Sequence, residues 1–363
     1  MAIATEAPVR SPPVRTAPTS RSGRSRHPCT TPSRRLMTFG PTLRVSVIGL
    51  VVAVSLAACS SGSGSPSGSS AGGGLEKTTI TIGVSPVPSS APVYIAEARG
   101  FFKQEGLSVK MEVIQAPQAV MPKIANGSMD IFKGSYVSFL NLQDSGQKIK
   151  ILSDTLQGAP GIAAVVVPKE SKLQSAKELK GKTIAVNSLK NLGELSVSAH
   201  LRINELSPQD VKFTVIDFQA QIAALKTGTV DAAWLVEPFL SAAQQGGARV
   251  LLDTNTGPTE SLPIDGWGST DAWVAKHPKT AAAFQRAVQK AQRLAATDRS
   301  ALAEVVPKYT QIPKEAVMTM AMGTFPTSLN ATRIQRVADL MHEFGYLKSK
   351  IDVPTMVFNG PEQ

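Results

Sequence analysis

AALKTGTVDAAWLVEP, residues Ala223–Pro238, reads as the end of a helix, a Gly turn, a short apolar strand and a loop. An earlier stretch, IANGSMDIFKGSY at Ile124–Tyr136, repeats the pattern. With Gly127 set on Gly228, Ile124 falls on Leu225 and Asp130 on Asp231. In each copy the Gly can adopt the left-handed backbone that ends a helix. The apolar run after the Asp suits a parallel strand buried on both faces. The repeat therefore predicts two similar α/β halves, against the competing account that helix–Gly–strand is common and the match is chance. In open parallel sheets ligands sit off the carboxyl ends of the strands, so the loops Gly134–Tyr136 and Val236–Phe239 are expected to face one cleft.

A chain of 363 residues is long enough for two domains, and 42% apolar with 5% aromatic residues is ordinary for a globular protein. The net charge of +11 first suggests a polyanion partner. However, the first 58 residues hold eight Arg against Glu6, so only +4 belongs to the remainder. No dense Lys/Arg stripe interleaved with aromatics is left in the body, which removes the case for nucleic acid.

Residues 1–36 are rich in Pro, Ser, Thr and Arg and cannot bury a core, so they are expected to be a disordered extension or the product of a misassigned start at Met1 rather than Met37. Within 37–58, Arg44 precedes the apolar run Val45–Leu56 of twelve residues. That is a signal peptide rather than a bilayer span, which needs about twenty apolar residues. Leu56-Ala57-Ala58-Cys59 resembles the bacterial lipobox, which implies lipidation of Cys59; an ordinary secretory peptide with a chance Cys is the alternative. Cys29 is the other Cys, so cleavage before Cys59 leaves no disulfide or Cys-type zinc site in the mature chain. Residues 59–77 then read as the lipidated Cys and a Ser/Gly tether.

The fold is expected to begin at Thr78-Thr79-Ile80-Thr81-Ile82-Gly83-Val84 as a strand, with the loop SPVPSSAPV and the helix Val93–Arg99 after it. A second strand is expected at Ser108–Ile114. PVYIAEARGFFKQEGLSVKMEV resembles the opening of the nitrate/sulfonate/thiamine-precursor family of ABC-transporter substrate-binding proteins. Ala163–Lys169 looks like the strand ending that family's first lobe segment, and Leu179-Lys180-Gly181-Lys182-Thr183-Ile184-Ala185-Val186 looks like the start of its second lobe. Asp231-Ala232-Ala233-Trp234-Leu235-Val236-Glu237-Pro238-Phe239 and Phe344-Gly345-Tyr346-Leu347 also match. The resemblance implies an α/β fold of the periplasmic-binding-protein type II kind: two α/β lobes joined by two crossover strands, with a ligand cleft between them. It places lobe one at 78–170 plus 269–363 and lobe two at 171–268, with hinges near Lys169–Ser171 and Gly268–Asp271. Past Val250 the pattern turns helical, with His277-Pro278 opening an Ala-rich helix whose core residues are Phe284, Val288 and Leu294.

The four His (27, 200, 277, 342) have no metal-type spacing, and no G-x-S-x-G, H-E-x-x-H or P-loop string occurs. Pyrimidine synthases of thiamine biosynthesis share the fold the resemblance implies, but they carry a Cys-rich iron-binding run that this body lacks. The reading is therefore no enzyme, no cofactor and no metal. Asn187–Ser196 follows a strand and opens a helix, so its amides could hold an anion or carbonyl, with plain capping an equal account and Lys190 expected to be solvated. Trp234 and Trp267 offer flat faces near the cleft, or core packing; Glu237 could accept a ligand's hydrogen bond, or brace its own loop. Ligand contacts are expected at Ser89, Ser90, Ala91, Ser135, Tyr136, Asn187, Asn191, Gly193, Trp234, Glu237 and Trp267. The function so implied is an extracytoplasmic solute-binding lipoprotein that hands a small organic or anionic nutrient to an ABC permease with its cytoplasmic ATPase. Its membrane contact is the lipid anchor and it has no nucleic-acid partner; a ligand-sensing protein of a signalling system is the alternative.

Overall fold

A computed structural model describes residues 74–114 and 120–360. The expectations for the extension, signal peptide, Cys59 and most of the tether lie outside the described residues. The tether's end is already part of the body: the Glu76 carboxylate accepts from Thr280 N at 3.0 Å and from its hydroxyl at 3.1 Å. Residues before Thr78 thus pack against the body. No helix among the described residues is long and apolar enough to cross a membrane.

Among the described residues, ten strands form two sheets. They are β1 (Thr79–Val84), β2 (Ser108–Val113), β3 (Ile131–Ser135), β4 (Ile149–Gln157), β5 (Ala163–Pro168), β6 (Thr183–Val186), β7 (Lys212–Val215), β8 (Ala232–Val236), β9 (Ala248–Asp253) and β10 (Pro263–Thr270). The first sheet has the order β2-β1-β3-β10-β4 and the second β7-β6-β8-β5-β9. In both, three parallel strands are followed by one that runs against them (β10 or β5) and, antiparallel to it, a last strand that again runs with the first three (β4 or β9). Helices cover both faces of each sheet, which is why central runs such as Val165-Val166-Val167 are apolar at successive positions and fully buried.

The sequence repeat is a structural repeat. Gly127 (φ 75°) and Gly228 (φ 71°) end the helices Met121–Ala125 and Phe218–Lys226 in the left-handed conformation. Three residues later in each copy, the chain enters a strand through an Asp. Asp130 N donates to Thr81 O and its Oδ2 accepts from Thr81 N, both at 2.8 Å. Asp231 does the same to Thr183, at 3.0 and 2.8 Å. These paired bonds pin the register of β3 on β1 (Ile82 beside Ile131) and of β8 on β6 (Ile184 beside Ala232). Asp130 has two further donors, Lys77 Nζ at 2.6 Å and Trp273 Nε1 at 2.8 Å.

The lobe boundaries differ from the expected ones. β5, expected to close the first lobe, pairs with β8 and β9 in the second sheet, while β10, expected to end lobe two, lies between β3 and β4 in the first. The chain therefore crosses between sheets at 158–162 and 254–262, not near residues 170 and 269. An all-apolar run declares that both its faces are covered but not by which sheet. The two crossings are bonded to each other: Gly158 N donates to Leu262 O at 2.8 Å, and Thr254 N to Ala163 O at 3.1 Å.

The helical end of the chain packs on the first sheet. Pro278–Thr297 opens with Pro in its first turn, as expected, and buries Ala281, Phe284, Ala287, Val288 and Ala291 completely. Leu294 is only half-buried. The small Ala side chains let this helix approach closely, and Phe284 meets Trp267 edge to face at 5.9 Å between centroids.

Candidate ligand cavity

A cavity of about 290 Å3 lies between the strand ends of the two lobes. The first lobe contributes the loop after β1 (Ser85, Val87, Pro88, Ser89), the end of β3 (Lys133, Gly134, Ser135) and the start of β10 (Ile264, Asp265). The second contributes Asn187 and Asn191 from the loop after β6, Trp234 and Glu237 from β8 and its loop, and Thr254 after β9. Met320–Gly323 closes one side. This is the placement that parallel strands dictate, with both post-strand loops facing one cleft.

Of the expected contacts, Ser89, Ser135, Asn187, Asn191, Trp234 and Glu237 line the cavity. The other five do not. Ser90 is buried and its hydroxyl donates to Ser85 O at 2.6 Å, bracing the loop. Ala91 is buried in the first-lobe core. Tyr136 is fully buried beneath the cavity, its hydroxyl donating to Asp154 Oδ1 at 2.8 Å. Trp267 is fully buried two residues deeper along β10 than the cavity-lining Asp265, against Phe284. Gly193 stands behind Trp234, where a Cβ would come within 2.5 Å of the indole.

Two charged residues at the cavity were not anticipated. Lys133 and Asp265 are both buried and form a short ion pair, and Ser89 Oγ donates to the same Asp265 oxygen at 2.9 Å. Antiparallel pairing of β3 with β10 brings them together, Asp265 lying opposite Ser135 and Lys133 opposite Trp267. The usable signal was a Lys inside the apolar strand IFKGS and an Asp before GW. Charges in buried strands require partners.

Below them, Asp154 accepts from Tyr136, from Arg333 Nη2 at 3.0 Å and from Thr155 N at 3.1 Å. Burial dominates and lifts its carboxyl to about 6 despite these bonds. Burial likewise raises the Glu237 carboxyl, which Ser241 opposes by donating its hydroxyl at 2.8 Å and its N–H at 3.3 Å. Both expected roles of Glu237 thus have a geometric basis: it lines the cavity and braces its loop. Trp234 Nε1 donates to Thr254 Oγ1 at 2.9 Å, so the indole donor is already occupied.

The lobes also touch around the cavity rim. Ser135 Oγ donates to Asn191 Oδ1 at 3.3 Å and Asn141 Nδ2 to Lys190 O at 3.1 Å. Helix Leu192–Ile203 lays Leu195 into the first lobe's core, and its Arg202 pairs with Glu343 and sits 5.0 Å from the Phe344 ring centroid.

Two sheets of this order with a cavity between their strand ends define a periplasmic-binding-protein fold. The periplasmic aliphatic sulphonate binding protein SsuA of Escherichia coli has the same fold, with a TM-score of 0.66 at 18% identity over 79% of this chain and 94% of that one. The chain belongs to the NMT1/THI5 like family, which it matches over residues 87–300. Among curated relatives, the taurine-binding periplasmic protein of Escherichia coli is 25% identical over 60% of this chain and 67% of its own length. The 4-amino-5-hydroxymethyl-2-methylpyrimidine phosphate synthase of Uromyces fabae is 24% identical over 59% of this chain and 65% of its own.

Proposed function

We propose that this protein is the extracytoplasmic solute-binding component of an ABC importer, anchored through a lipid on Cys59, which captures a small molecule between its lobes and presents it to a permease driven by a cytoplasmic ATPase. The observation that carries this reading is the cavity itself, walled by loops of both lobes so that binding and lobe contact are coupled. A ligand seated there touches Ser89 and Asp265 on one side and Asn191, Trp234 and Glu237 on the other, so it stabilises the arrangement in which the lobes meet.

The lining supports binding rather than turnover. No His or Cys is among the cavity-lining residues, Lys133 is held by Asp265, and no group of His, Cys, Asp or Glu suited to a metal ion occurs among the described residues. The synthase relative is the reason to test this directly. Purified protein screened by thermal shift against small metabolites should gain stability with a ligand, about 2.7 kcal/mol at a hundredfold excess over Kd. Recovery of that ligand unchanged after prolonged incubation supports a binder; its conversion would sink the proposal.

A further inference from the structure

The charged side chains among the cavity-lining residues are Lys133, Asp265 and Glu237, one cation against two carboxylates. The cation is neutralised before any ligand enters, because Lys133 Nζ is held by Asp265 Oδ2 and both residues are buried. Asp265 Oδ1, by contrast, is buried with no hydrogen-bond partner. A buried carboxylate oxygen without a donor is costly, so a donor brought by a ligand would be strongly favoured there.

The two helix starts at the cavity wall, which could otherwise attract an anion, are satisfied by their own residues. Ser135 Oγ accepts from Ser138 N at 3.0 Å, and Asn191 Oδ1 accepts from Leu192 N at 2.8 Å. Glu194 in the first turn of helix Leu192–Ile203 supplies the negative charge that its positive end prefers. Much of the remaining wall is carbon: Leu156, Phe218, Leu262, Met320 and Met322, with Trp234 spending its single donor on Thr254.

We infer that the cavity selects a neutral or cationic molecule with a flat apolar body and N–H donors, and that it rejects oxyanions such as sulfonates and carboxylates. The inference rests on the solute-binding reading above and narrows it to a substrate class. Asp265 takes the donor, Glu237 reinforces the preference from the opposite lobe, and the apolar wall holds the body.

The test is a thermal-shift and calorimetric panel of matched pairs, in which one ring carries either a donor or an oxyanion: benzylamine and benzamide against benzoate and benzenesulfonate, and nicotinamide and 3-aminomethylpyridine against nicotinate and pyridine-3-sulfonate. A broad metabolite library of graded charge accompanies it. The amine and amide members, and the neutral or cationic library compounds, are expected to bind at least tenfold more tightly than their oxyanion partners. Asp265→Asn should cut that preference at least tenfold and, by freeing Lys133, let oxyanions bind. Should this variant not fold, Glu237→Gln is expected to weaken amines at least threefold while leaving amides unchanged. Oxyanions preferred by the unaltered protein overturn the inference but leave the solute-binding reading standing. A library in which no compound of any charge binds overturns that reading and the substrate class with it.

Discussion

Replacing Gly193 with Ala should destabilise the protein, although the same change in most helices does the opposite. Gly193 is the second residue of helix Leu192–Ile203 and its φ is not among the positive ones, so a Cβ meets no backbone objection. Helix propensity alone would favour Ala by up to about 1 kcal/mol, less so close to the N-terminus. Against this, the new methyl would lie 2.5 Å from Trp234 Cε3 and 2.9 Å from Cδ2, well inside contact distance. The indole cannot easily retreat: it is 3% exposed, hydrogen-bonded to Thr254, and 5.9 Å from the Phe218 ring. Overpacking of this kind costs about 1–3 kcal/mol, so the net loss should be about 1–2 kcal/mol. Urea unfolding followed by circular dichroism measures it as a lower midpoint at unchanged slope. Because Trp234 lines the cavity, ligand affinity should fall as well. A Gly193→Ala protein as stable as the parent, with unaltered binding, would show that the indole is not wedged and that the reasoning fails.

Four further outcomes are expected. Asp130→Ala should cost about 3 kcal/mol or more in urea melts, because three donors lose a buried carboxylate, whereas Asp231→Ala, whose side chain is 42% exposed, should cost about 1 kcal/mol; equal losses would refute the ranking. Asp154 binds its proton more tightly folded, at about 6 against an ordinary 3.8, so its contribution to stability falls as pH rises between those values. The stability difference between the parent and Asp154→Asn should accordingly shrink by about 3 kcal/mol from pH 4 to pH 7, and a flat difference would contradict the assignment. Arg202→Ala removes the contact to Glu343 and Phe344 without touching the cavity, so ligand affinity should drop several-fold through a smaller population of the closed form; unchanged calorimetric affinity would dismiss the rim contact as a latch. Cys59→Ser should release the protein from membranes after a high-salt wash, and retention in the membrane fraction would refute the anchor.

What could be read from the sequence was what is local. Gly127 and Gly228 end helices through a locally set backbone conformation, and an apolar run follows Asp130 and Asp231, so the repeat was legible, although the bonds those two Asp make to Thr81 and Thr183 reach 49 and 48 residues back. Residues whose meaning depends on distant partners were not. Lys133 and Asp265 are 132 residues apart, and their pairing appears only once β10 is laid against β3. Trp267 was misplaced because sequence marks it as part of a strand near the cleft, not how far along that strand the cavity begins. The crossings were drawn too late for the same reason: Ala163–Val167 is apolar enough for the centre of either sheet, and only its pairing decides.

The bonds between the two crossings have a mechanical consequence. Gly158 is tied to Leu262, and Ala163 to Thr254, so the two connecting segments turn together as one axle rather than as two separate threads. An axle permits rotation about a single line and resists twist and sliding, so the lobes have one coordinate along which to swing. Distances between spin labels on the two lobes should then fall into two sets that change in a fixed ratio. On the solute-binding reading proposed above, an empty and an occupied protein would then differ by the angle of that single joint.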